Sequence, residues 1–123
     1  MVVDTSIFID FLRKKDKTKS ELYLIPDSTQ LYISSITLYE LLMGATTDEK
    51  LNDINLLIQN IPVLSFDQQI ASKAGEIFHK LKKENKLIEF RDIFIASTCL
   101  VYELALKTLN INHFIRIKGL ELI

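Results

Sequence analysis

Three acidic residues lie near predicted element boundaries, and together they have the chemistry of a cation site. Asp4 follows a short apolar run, Glu40 lies one turn into the predicted helix ITLYELLMGA, and Asp92 begins the segment RDIFIASTCLVYE. Carboxylates brought together repel one another unless a cation neutralises them. Hard oxygen ligands without Cys or His beside them favour Mg²⁺ or Mn²⁺ over Zn²⁺. Such a site suits phosphodiester hydrolysis, because the cation activates water and stabilises charge on phosphate oxygens.

Each acid also has a purely structural interpretation. Asp4 can cap the helix that starts near Thr5, and Asp92 can cap its own helix or favour the positive end of its dipole. Glu40 follows Thr37 by three residues, which is the spacing of a capping box. For any single acid the cap is the simpler explanation. A shared location of all three would favour the cation site.

The elements that position these acids alternate between strands and helices. Ser34 and Ser35 can cap the second helix, Gly44 can end it, and Asp67 can cap the fourth helix. LYLIP either extends the first helical region or forms a brief apolar segment. The predicted strands are VVD, QLYIS, IPVLSF and LALKT, with LELI as a candidate fifth; the predicted helices are TSIFIDFLRKK, ITLYELLMGA, DEKLNDINLLIQN, QQIASKAGEIFHKLKKENKL and RDIFIASTCLVYE.

This alternation predicts an α/β fold, a three-layer sandwich with a parallel sheet of about five strands between helices. In such sheets, ligands bind beyond the carboxyl ends of the strands, and the three acids are expected at that edge. The length of 123 residues is typical of one domain, so we expect residues 1–123 to form a single domain.

Composition narrows the possible functions. A net charge of −1 argues against steering to nucleic acid by overall charge. The lone Cys99 lies in an apolar run and is interpreted as a core residue, not a nucleophile. No leader pattern and no apolar run of the ~18 residues needed to cross a bilayer is present, so we expect a soluble, cytoplasmic protein. Two basic clusters are interpreted first as solvated helix ends or faces: Arg13, Lys14, Lys15, Lys17 and Lys19, and Lys80, Lys82, Lys83 and Lys86.

Four motifs, in order, resemble those of the PIN-domain ribonucleases, in particular the VapC-type toxins of toxin–antitoxin pairs. They are DTSIFID, ISSITLYELLMGA, EFRDIFIAST and LKTLNINHFIRIKGLELI. The resemblance runs from Val2 to the C-terminus and puts Asp4, Glu40 and Asp92 at the acidic positions. It implies a five-stranded parallel sheet between helices, Mg²⁺- or Mn²⁺-dependent RNA cleavage, a homodimer, and inhibition by a cognate antitoxin.

The last motif departs from the family pattern. Family members often carry a fourth acid at the place of Asn110 or of His113, and this chain has neither. The departure leaves open whether one or two cations bind. We expect Asn110 and Thr108 to orient a water molecule or a phosphate. His113 is interpreted mainly as a surface or packing residue, with RNA contact as the alternative.

Further residues are expected around the acids. Asp10 is expected to support the site through hydrogen bonds, and Ser6 either donates a hydrogen bond to the phosphate or is simply a first-turn helix residue. Glu40 or Asp92 can accept the proton from the attacking water, and the sequence does not distinguish them. RNA contacts are expected from some combination of four basic residues, Lys14, Lys15, Arg91 and Arg116.

Two other functions remain compatible with parts of the sequence. One is a PIN-like protein that has lost catalysis and acts as a binding or regulatory partner. The other is a receiver-type phosphoacceptor domain, which needs an acidic pair after strand one and an acceptor Asp after strand three. The chain offers Asp4 alone at the first place, and capping already explains Asp67 at the second.

The second and third predicted helices carry more apolar residues than one core-facing stripe needs. Part of this surface is therefore expected to stay exposed near Glu40 and to form a partner interface. The apolar residues are Leu38, Leu41, Leu42, Met43, Ile54, Leu57, Ile58 and Ile61.

Overall fold

The computed structural model describes all 123 residues, Met1–Ile123. Strands and helices alternate as the sequence predicts, although each strand is only two residues long. The elements are β1 (Val2–Val3), α1 (Thr5–Arg13), a 3₁₀ turn (Lys17–Lys19), β2 (Ile33–Ser34), α2 (Ser35–Gly44), α3 (Asp48–Ile58), β3 (Val63–Leu64), α4 (Gln68–Lys83), α5 (Phe90–Tyr102), β4 (Leu106–Lys107) and α6 (Ile111–Phe114).

The strands form one parallel array in the order β3-β2-β1-β4. The β1–β4 and β2–β3 ladders are both parallel, and a bridge between Val2 and Tyr32 joins them. The candidate fifth strand, LELI, contributes only one bridge, from Leu122 to Leu106. It forms no ladder because its backbone meets β4 at that residue alone, through the amides of Leu106 and Ile123. Four short strands and this bridge therefore replace the five strands expected.

Two hydrophobic cores lie on opposite faces of the sheet, and β1 contributes one side chain to each. Val2 belongs to a cluster with residues of α4 and α5, including Ile77, Ile95 and Cys99. Val3, the next residue, belongs to a cluster with residues of α1, α2 and α3. Successive side chains of a strand point to opposite faces, so the two valines separate the helices into two layers. The three-layer sandwich is confirmed.

Side-chain caps explain where the helices begin. The Ser34 hydroxyl accepts a hydrogen bond from the Thr37 amide at 3.0 Å, and Asp67 accepts one from the Ile70 amide at 2.9 Å. Both predicted caps are confirmed; each is worth about 1 kcal/mol. LYLIP does not extend α1: it forms turns, from which Leu22 and Ile25 pack against the α1–α3 side of the core.

Cys99 is fully buried in the core on the α4–α5 side. Burial raises the pKa of its thiol to about 12, so the thiolate that a nucleophile requires is suppressed. Its interpretation as a core residue is confirmed. None of the helices combines the length and apolar character that a bilayer span requires.

Candidate active site

The three acids line one cleft at the edge of the sheet. Asp4 follows β1, Glu40 lies on α2, and Asp92 lies in the first turn of α5. The cleft has a volume of about 510 Å³, and Ser6, Asp10 and Asn110 also line it. The parallel strands bring these residues together, because the carboxyl ends of β1 and β2 lie side by side.

Asp4 is almost completely buried, with 2% of its surface exposed. Its Oδ2 accepts hydrogen bonds from the hydroxyls of Ser6 and Thr108, both at 2.7 Å. Although Asp4 precedes α1, its side chain makes no capping hydrogen bond, so the cap interpretation is wrong. Thr108 is itself buried and donates to Asp4, so it positions this carboxylate. Its expected role in orienting a water or a phosphate stays a prediction. Ser6 also donates to Asp4 and accepts from the Leu109 amide at 3.0 Å.

Glu40 is held from two sides. The Thr5 hydroxyl donates to its Oε1 at 2.9 Å, and Nη1 of Arg91 lies 3.9 Å from its Oε2. Burial raises the pKa of Glu40, and the negative charges of Asp4 and Asp92 add to that shift. The capping-box interpretation is wrong, because the cap of α2 is one turn earlier in the chain.

Asp92 pairs with a residue that the sequence did not assign to the site. Nδ1 of His113 lies 3.0 Å from Oδ2 of Asp92. Burial raises the pKa of Asp92, and the charge of Asp4 acts in the same direction. Glu89 caps α5 by accepting a hydrogen bond from the Arg91 amide at 3.0 Å, so Asp92 is not the cap of this helix. Two signals in the sequence pointed to His113: it follows Asn110 by three residues, about one turn along a short helix, and it stands where family members often carry an acid.

Asp10 and Asn110 border the cleft in different ways. Asp10 accepts from the Glu21 amide at 2.9 Å and pairs with Lys14 at 3.1 Å. The backbone hydrogen bond and, next, Lys14 lower the pKa of Asp10. Asn110 starts α6 without a side-chain cap, and its backbone amide donates to Thr108. These contacts hold Asp10 to the loop after α1, and its supporting role at the site stays a prediction.

Comparison with known proteins agrees with this geometry. The family model described as PIN domain matches residues 1–120. The chain belongs to the PIN-domain family. Membership excludes the receiver-type alternative, and Asp67, the residue that alternative required, caps α4.

Relatives of this PIN domain include proteins named as VapC ribonucleases. It is 38% identical to ribonuclease VapC3 of Methanocaldococcus jannaschii, over 78% of this chain and 94% of that protein. It is 34% identical to ribonuclease VapC of Rickettsia bellii, over 100% of this chain and 94% of that protein. The DNA-bound VapBC of Salmonella typhimurium contains a chain of the same fold, with a TM-score of 0.88, 28% identity, and coverage of 99% of this chain and 95% of that one.

The donor set of this PIN domain fits a hard divalent cation. The hydrogen bonds to Asp4 and Asp92 all fall on Oδ2, so each keeps Oδ1 without a protein partner. Glu40 adds a third carboxylate in the same cleft. No three of the chain's His, Cys, Asp and Glu side chains form a ready-made metal cluster. The acids therefore offer oxygen ligands of the right kind along one cleft.

Proposed function

We propose that this PIN domain is a metal-dependent endoribonuclease and the toxin of a type II toxin–antitoxin system, acting in the cytoplasm as one domain of residues 1–123. The observation that carries the proposal is the cleft that brings together Asp4 after β1, Glu40 on α2 and Asp92 on α5. The names of its relatives, which are ribonucleases, support RNA as the substrate. Asp4, Glu40 and Asp92 are the proposed catalytic residues and metal ligands.

The proposed mechanism is hydrolysis of an RNA phosphodiester bond. Mg²⁺ or Mn²⁺ held by Asp4, Glu40 and Asp92 would supply water activation and charge neutralisation at the scissile phosphate. Ser6 and Thr108 fix Asp4 through their hydroxyls, and Thr5 fixes Glu40.

Glu40 and Asp92 are the candidates to accept the proton of the attacking water. Both line the cleft, and burial raises the pKa of each, which strengthens it as a base. Asn110 lines the same cleft and offers an uncharged amide to the substrate.

A cleavage assay tests the proposal directly. The purified protein is incubated with labelled single-stranded RNA in Mg²⁺ or Mn²⁺, with and without EDTA. We expect EDTA to abolish cleavage, the added cation to restore it, and Asp4→Asn to lower the rate at least a hundredfold. Asp27→Asn is the matched control, because Asp27 is exposed and makes no side-chain hydrogen bond or ion pair. Undiminished cleavage in EDTA, with contaminating nuclease excluded, would reject the hydrolytic mechanism.

The inactive alternative predicts a different result. The missing fourth acid is the one feature of the sequence that favours a PIN-like protein with only a binding role. Such a protein would bind its partner and cleave no RNA in either cation. The same assay therefore separates the two functions.

The proposed partners are a cognate antitoxin and a second copy of this chain. Leu42 and Met43 on α2 are 39% and 53% exposed, whereas Leu41 and Ile54 are buried in the core. A cavity of about 660 Å³ lies between α1, α2 and α3 and reaches Glu40. We propose that an amphipathic segment of the antitoxin with a basic tip lies in this cavity and also contacts the exposed side chains of Leu42 and Met43. Sedimentation of the free protein as a monomer at high concentration would contradict the homodimer.

A further inference from the structure

The basic residues at the end of α1 divide by what their side chains contact. Lys14 pairs with Asp10, and Lys17 donates to the carbonyls of Phe11 and Leu12. Arg13, Lys15 and Lys19 make no side-chain hydrogen bond or ion pair. Of these three, only Arg13 lines the acidic cleft. Arg13 is therefore the one cation of the cleft whose charge the protein leaves uncompensated.

Arg13 also lies where two cavities meet. The acidic cleft and the cavity between α1, α2 and α3 share three residues, Ile9, Arg13 and Glu40. The two cavities therefore adjoin each other and are together called the groove; Arg13 and Glu40 lie where they meet. An extended chain that lies in the groove meets both.

The other basic residues that were expected to contact RNA are already paired or lie outside the cleft. Arg91 donates to Glu89 at 2.9 Å, and Arg116 donates to the carbonyl of Leu87 at 3.2 Å. Neither lines the cleft, and Lys15 does not either. The structure therefore favours Arg13 over the residues that the sequence suggested.

We infer that Arg13 binds a backbone phosphate of the RNA next to the scissile one and sets the position of the strand in the groove. The inference rests on the proposed ribonuclease function. A polyanion that approaches three carboxylates and Asp10 is repelled, and an unpaired guanidinium beside them offsets that repulsion. Its planar fork of N–H donors matches phosphate oxygens better than a lysine does. A phosphate contact of this kind fixes register and carries no sequence preference.

Arg13 also has a structural role that the test must separate. It lies in the last turn of α1, where a cation interacts favourably with the helix dipole. Loss of that interaction lowers thermal stability but leaves the salt dependence of RNA binding unchanged. A phosphate contact does the reverse, because each one releases counterions on binding.

The experiment compares Arg13→Gln, Arg13→Lys and the matched control Lys19→Gln in the full chain; Lys19 is exposed and does not line the cleft. KM and kcat for a labelled single-stranded RNA are measured in Mg²⁺ over a series of KCl concentrations. The Kd for the same RNA is measured by fluorescence anisotropy in an Asp92→Asn background, where cleavage is absent. Thermal melts accompany each variant.

For Arg13→Gln we expect KM and Kd to rise about fivefold at low salt, with kcat within about twofold of wild type. The slope of log affinity against log salt should fall by about 0.7, the value for one phosphate of a single strand. Arg13→Lys should keep most of the slope, and Lys19→Gln should keep all of it.

Three results would overturn the inference. If Arg13→Gln has the same salt slope as Lys19→Gln, Arg13 makes no phosphate contact. If Arg13→Gln lowers the melting temperature and leaves KM unchanged, Arg13 acts only at the end of α1. Weakened antitoxin binding with unchanged RNA affinity would assign Arg13 to the partner interface. In each case the wild type still cleaves RNA; a wild type that neither cleaves nor binds RNA would instead reject the proposed function, and the inference with it.

Discussion

Two parts of the cleft differ in how the protein stabilises negative charge. They are Asp4, Glu40 and Asp92, here called the floor, and Asp10, here called the rim. Burial raises the pKa of Glu40 and of Asp92, and the neighbouring acids add to the effect. A backbone amide and Lys14 lower the pKa of Asp10. The protein therefore stabilises the charge of Asp10, whereas it compensates the charges of Glu40 and Asp92 only in part. Removing a floor carboxylate should affect activity, and removing the rim carboxylate should affect stability.

The largest expected effect is that of Asp92→Asn on cleavage. Loss of one of three carboxylate ligands should lower the cleavage rate at least a hundredfold and weaken Mn²⁺ binding, which calorimetry measures. The apo protein in EDTA should melt at the temperature of wild type or slightly above, because a buried charge that faces other negative charges is removed.

Glu89→Ala is the matched control at the start of the same helix. Glu89 supplies the cap of α5, so its loss should cost about 1 kcal/mol of stability and leave Mn²⁺ binding intact. A clear loss of stability in Asp92→Asn, comparable to that of Glu89→Ala, would mean that the floor carboxylate is structural. The proposed difference, in which the floor carboxylates serve activity and the rim carboxylate serves stability, would then be wrong.

The second effect concerns the apolar surface beside the floor. Leu42→Glu places a charge on the exposed face of α2, and loss of an apolar anchor there should weaken antitoxin binding by about 2 kcal/mol, roughly 30-fold. Titration of a labelled antitoxin peptide measures it. Leu24→Glu is the control, since Leu24 is 62% exposed and lies in the loop after α1. Equal affinities of the two variants would show that the partner binds elsewhere.

The sequence predicted the elements and the three acids because both depend on local patterns. The apolar runs, the Ser34 and Asp67 caps and the four motifs are all readable within a few residues. What it missed are contacts between residues far apart in the chain, such as Thr5 with Glu40 and His113 with Asp92. Strand length was also missed, because α1 and α2 start directly after Asp4 and Ser34 and leave only two residues for each ladder.

The third effect tests the contact between His113 and Asp92, which the sequence did not predict. His113→Phe removes the nitrogen that contacts Asp92, so this carboxylate loses its orientation and cleavage should fall about tenfold. His113→Asn keeps a donor near that place and should recover part of the rate. His79→Phe serves as control, because His79 is exposed on α4 and does not line the cleft. If His113→Phe and His79→Phe have the same activity, the contact with Asp92 does not position the floor.

The smallest effect is that of Asp10→Asn at the rim. A carboxyl whose pKa is lowered in the folded state stabilises the protein above its unfolded pKa, about 3.9 for Asp, and loses that contribution as pH falls through the folded value. Asp10→Asn should therefore melt slightly below wild type at pH 7, and the difference should shrink as the pH falls below about 4. Asp27→Asn, with the same change of charge and no contacts, should show no such difference at pH 7.

Cleavage by Asp10→Asn should stay within about threefold of wild type, because Asp10 holds the Glu21 loop and already has Lys14 as its cation. A loss of cleavage as large as that of Asp92→Asn, with unchanged melting, would place Asp10 on the floor of the cleft.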